Sequence, residues 1–176
     1  MFTRSAGFIV ALLVSGAAVA AESPQRGQPI TAAEAAAWDL TIAPDGVGLP
    51  KGRGTVKRGE QVFAEKCVSC HGEKGEGKPA DKLVGGQGTL GGDQAPVKTV
   101  GSYWPYATTL FDYIRRAMPL TEPQSLSAEE VYSVSAYVLY LNGIITDKAV
   151  LDAKSLPRVK MPNRDNFHIV YPAKIQ

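Results

Sequence analysis

The sequence predicts an all-α domain, three core helices joined by long loops, and three observations predict it. Apolar residues recur at helical spacing in three segments, two of them opened by a Thr or Ser placed to cap. No alternating run is strong enough to support a sheet. Twelve prolines and eighteen glycines imply long connections, while a hydrophobic content of 44% suffices for a packed core.

Residues 1–21 read as an export signal. Arg4 supplies the positive start, "GFIVALLVSGAAVA" the apolar run, and Ala18-Val19-Ala20 an A-x-A cleavage site. A membrane span needs about 20 strongly apolar residues, so cleavage and a periplasmic location are the expectation, with no stable membrane insertion; an uncleaved anchor is the alternative. Without Arg4 the chain carries 18 basic against 17 acidic residues. Nothing in that balance, or in the spacing of aromatic and basic residues, suits nucleic acid.

Residues 22–53 form an extended arm expected to wrap over the domain or a partner. Within it, "TAAEAAAW" carries a Thr31/Glu34 capping box. The domain proper is expected over 54–145. Its first helix runs through "TVKRGEQVFAEK" with Thr55 as N-cap and Val56, Gly59 and Phe63 near one face. A mid-helix glycine costs about 1 kcal/mol relative to alanine, so Gly59 suggests a close backbone approach. Residues 72–101 are loop, a length that is uncommon unless functional; wrapping a large prosthetic group would explain it. The second helix, "TTLFDYIRRA", ends in Arg115 and Arg116, suited to a negative helix terminus, and Pro119 stops it. The third opens on a Ser127/Glu130 capping box, carries Val131, Val134, Val138 and Leu141 at helical spacing beside Tyr137, and stops at Asn142-Gly143. Residues 146–176 read as a mostly irregular tail.

Both cysteines and one of the two histidines stand together in "CVSCH". Cys-x-x-Cys-His is the attachment signature of a c-type haem: Cys67 and Cys70 bond the porphyrin and His71 reaches the iron. A structural zinc site needs four ligands, and only His168, in the tail, remains. A redox dithiol would sit in a βαβ pattern and has no use for the histidine. A plain disulfide is the remaining alternative. One covalent haem (heme c) is the reading the residues favour.

The sixth iron ligand is expected to be a methionine thioether, which suits electron transfer. Met118, in "RRAMPLTE", is favoured; Met161 is the alternative, followed by His168 or an open position. Trp104, Tyr106 and Phe111 either wall the haem or pack the core. Arg115 and Arg116 either pair with propionates or lie solvated. Lys74, Lys78 and Lys82 surround the attachment loop, but Glu73, Glu76 and Asp81 alternate with them and largely cancel the field.

"GEQVFAEKCVSCHG", "AMP" and "LSAEEVYSVSAYVLYLNG" resemble class I c-type cytochromes over about half the chain. The resemblance implies first and last helices crossing at right angles, with Gly59 and Phe63 meeting Tyr137. Many members place a proline two residues before a leucine, its carbonyl holding the histidine's ring N–H. Here Asp81 stands at that place and Pro79 two residues earlier, which leaves the partner of His71 open.

A narrower resemblance covers most of the chain. "WDLTIAPDGVGLPKGRGTVKRGEQVF", "LVGGQGTL", "TVGSYWPYATTLFDYIRRAMP" and "MPNRDNF" are similar to cytochrome subunits of sulfane and sulfite dehydrogenases from thiosulfate oxidation. That implies an electron-accepting, non-catalytic subunit. Its partners would be a molybdenum-cofactor subunit and a downstream acceptor such as another cytochrome c. A freely diffusing carrier for another dehydrogenase or oxidase is the alternative, and an enzyme with an open iron position a third.

Overall fold

The computed structural model describes residues 27–168. The expected export signal and the end of the tail lie outside them. Helix α1 is Ala32–Trp38, α2 Val56–Lys66, α3 Val68–His71, α4 Ala107–Ala117 and α5 Ala128–Leu141, with strands β1 Arg53–Thr55 and β2 Val150–Asp152.

Local chemistry sets the helix ends. The Thr55 hydroxyl accepts the Arg58 N–H at 3.2 Å and starts α2. Ser127 and Glu130 form the capping box of α5, and Thr31 and Glu34 that of α1. Helix α4 stops at Met118, whose N–H still reaches the Ile114 carbonyl; the proline that follows cannot donate to a further turn.

Helix α5 is the centre of the molecule. Every residue from Val131 to Leu139 is buried, because α2, α4, β1 and β2 all pack on it. The stripe read from the sequence is therefore only part of its apolar surface; small Ser133, Ser135 and Ala136 fill the other sides. Phe63 meets Tyr137 with ring centroids 5.3 Å apart, and Phe111 meets Tyr132 at 4.4 Å.

The described part of the tail is mostly irregular, as expected, but holds one short strand. It contributes β2, which pairs antiparallel with β1, Gly54 opposite Leu151. Strands of three residues are too short to show alternation, so pattern could not announce them. Beyond β2, Leu156 and Met161 are buried in the core. The arm lies on the same helices: the Tyr132 hydroxyl donates to the Pro50 carbonyl at 2.9 Å and Thr108 to Pro44 at 3.4 Å. Helix α1 buries nothing, and Trp38 is 85% exposed. No helix among the described residues is long and apolar enough to cross a membrane.

Candidate haem site

Cys67, Cys70 and His71 sit on one helical turn. The Cys70 and His71 N–H groups both donate to the Cys67 carbonyl, at 3.1 and 2.9 Å, and Gly72, at φ +78°, turns the chain away. The loop then folds back on that turn. Gly77 donates to the His71 carbonyl at 2.8 Å and Ala80 to the Cys70 carbonyl at 2.9 Å. This return brings the Asp81 carbonyl 3.1 Å from His71 Nδ1. With Nδ1 protonated and donating there, Nε2 keeps its lone pair, the tautomer a metal ligand requires. The open question about the histidine's partner has a backbone answer: the carbonyl at position 81 is in place although the residue is not proline.

Burial, and then the neighbouring Cys70, push the Cys67 thiol up to about 11. Dithiol oxidoreductases lower a thiol pKa instead. Among the described residues no three or more His, Cys, Asp or Glu side chains are placed to hold a metal ion, and His168 is exposed. Val68, Leu83, Trp104, Met118 and Leu126 are among the apolar side chains that pack on the core yet stay only partly covered. Two thiols on one turn and an imidazole whose Nδ1 faces a backbone carbonyl fit a covalent haem.

The two methionines have different surroundings. Met118 is half-buried at the end of α4, whereas Met161 is 1% exposed and packed among core side chains. Phe111 is wholly buried against Tyr132, and Trp104 stands edge-on to Tyr113 at 5.7 Å. Arg164 lies over the Tyr106 ring at 4.8 Å. Arg116 is bonded to Asp112 at 2.8 Å along its own helix. Glu76 accepts the Lys74 N–H at 2.7 Å.

A chain of the sulfane dehydrogenase SoxCD from Paracoccus pantotrophus is similar in sequence and shape, with 41% identity and a TM-score of 0.77 over 86% of this chain and 73% of that one. The family model for cytochrome c matches residues 56–142. The chain belongs to the cytochrome c family. As a cytochrome c it carries covalent haem c and serves electron transfer. Two thiosulfate dehydrogenases are also similar to it, from Psychrobacter arcticus at 31% identity and Stutzerimonas stutzeri at 30%, each over 57% of this chain. The match takes in 31% and 35% of those two proteins, about a third of their length.

One part of this cytochrome's site was not visible in its sequence. The long glycine-rich loop is held by a small buried polar frame. The Thr99 hydroxyl donates to the Gly85 carbonyl at 2.6 Å and Ser102 to the Val97 carbonyl at 2.6 Å, while Asn142 from α5 binds Leu83 and Gly85. Such side-chain bonds stand in for secondary structure where backbone groups have no ladder. The only trace in the sequence was a Thr-x-x-Ser spacing, too common to single out.

Proposed function

We propose that this cytochrome is an exported, periplasmic, monohaem subunit that accepts electrons from a molybdenum-cofactor dehydrogenase acting on a reduced sulfur compound and passes them to another cytochrome c. The observation that carries the reading is the extent of the likeness to the SoxCD chain. It covers 86% of this chain, well beyond residues 56–142 of the haem domain, and so takes in arm and tail. A minimal shuttle has no need of either.

On this reading Cys67 and Cys70 would hold the haem by thioethers, and His71 and Met118 would ligate its iron. The haem supplies a one-electron couple that side chains lack. The chain's own residues do the rest. The Asp81 carbonyl keeps the Nδ1 proton on His71 and sets the ring's orientation. Two protein ligands leave no place for substrate, so sulfur chemistry falls to the partner and this chain converts no substrate itself.

The test is metal analysis of protein gently purified from its native periplasm. Molybdenum co-eluting with haem iron in constant ratio through size exclusion is the expected result. Haem iron alone, at the size of a small monomer, would instead favour the freely diffusing carrier.

A further inference from the structure

We propose that Asn142 is a positioning residue for the axial histidine, acting through the loop that carries the Asp81 carbonyl. The proposal rests on the reading of His71 as haem ligand. Asn142 follows the last residue of α5, and its side-chain amide is saturated. Nδ2 donates to the Val138 carbonyl at 2.9 Å and to the Leu83 carbonyl at 3.1 Å. Oδ1 accepts the Gly85 N–H at 3.1 Å and the Gln87 amide at 3.4 Å. Two donors and two acceptor sites are all a carboxamide has.

The bond to Val138 caps the helix, and capping alone would need nothing more. The bonds to Leu83 and Gly85 reach 59 and 57 residues along the chain, which gives Asn142 a second task. Leu83 is gripped at both ends: its carbonyl by Asn142 and its N–H by the Gly75 carbonyl at 2.9 Å. Two residues before it stands Asp81. On the other side of Asp81, Ala80 is tied to Cys70. The carbonyl that faces His71 Nδ1 therefore lies in a four-residue span pinned to the attachment turn at one end and to α5 at the other. Gly101 packs against the carboxamide so closely that any Cβ there would collide with it, so the absence of a side chain at 101 is what lets the amide occupy this place. A core helix thus reaches the histidine's hydrogen bond in two residues of loop.

The test uses the reduced, haem-loaded full chain and follows solvent exchange of the His71 Nδ1–H by heteronuclear NMR. Asn142→Asp keeps an acceptor for Gly85 and loses both donors. Exchange of the ring N–H is expected to quicken about tenfold or more, as loss of one net hydrogen bond implies, while buried α5 amides such as Tyr137 keep their protection. In the uncharged variant Asn142→Ser the reduction potential is expected to rise, because a weaker Nδ1–H bond makes the imidazole a poorer donor to ferric iron. If Asn142→Asp does not accumulate with haem, Asn142→Ser serves, since a serine hydroxyl bonds its own i−4 carbonyl but is too short to reach Leu83. Unchanged ring exchange, or exchange rising equally at ring and core, would overturn the proposal. Wild-type His71 ring protons without the haem ring-current shift would instead sink the ligand reading on which it stands.

Discussion

Gly59 on α2 lies against the Ser133 carbonyl of α5 with no space for a side chain: a Cβ there would also stand 2.8 Å from Tyr137 Cβ. The helix that tolerates a glycine in its middle gains a close approach of two helix backbones in return. The neighbouring Phe63–Tyr137 pair fills the space beside the crossing.

Gly59→Ala is therefore expected to destabilise by about 3 kcal/mol or more, the upper range for forced overpacking, despite alanine's better helix propensity. Denaturant unfolding of the haem-loaded protein measures it. A stabilised variant would mean the crossing can open at no cost.

Met118 and Met161 separate by substitution. Met118→Ala is expected to abolish the Met–Fe(III) charge-transfer band and let the reduced protein bind carbon monoxide. Met161→Ala is expected to keep the band and lose about 2–5 kcal/mol of stability, as a buried methionine does. The reverse pattern would reassign the ligand to the tail.

Asp81 contributes its carbonyl, not its carboxylate, to His71. Asp81→Ala should leave the reduction potential and the His71 ring exchange unchanged, with stability within about 0.5 kcal/mol. A large change in either would show that the exposed carboxylate acts on the haem.

The Ser127 N–H and hydroxyl both donate to Glu130 Oε2 at 2.9 Å. The backbone donor first, and the hydroxyl second, hold the Glu130 carboxyl below the usual carboxylate range. A depressed folded pKa gives stability that is present above the unfolded value and is lost as pH falls through the folded one. Wild type should exceed Glu130→Gln in stability at about pH 7, and the gap should narrow at an acidic pH below the usual carboxylate range. Urea unfolding at both values reads it; a gap independent of pH would exclude the charge as its source.

Much of this protein follows from sequence-local physics. Thr31, Thr55 and Ser127 announce three helix starts because a cap is a contact over three residues. Cys67, Cys70 and His71 announce a haem because one turn of chain holds all three. Gly59 signalled a close approach, and resemblance supplied its partner helix. What only the tertiary structure decided lies between residues far apart. Asp81 meets His71 through its backbone, which no residue type encodes. Asn142, which by position reads as a helix stop, spends half its amide on Leu83 and Gly85. The tail's pairing with β1 joins segments about a hundred residues apart, the burial of Met161 puts a tail residue in the core, and no local pattern reports either. Periodicity and caps report what a segment does by itself; a carbonyl's partner, a three-residue strand and the covering of a helix's far side are settled only when the chain closes on itself.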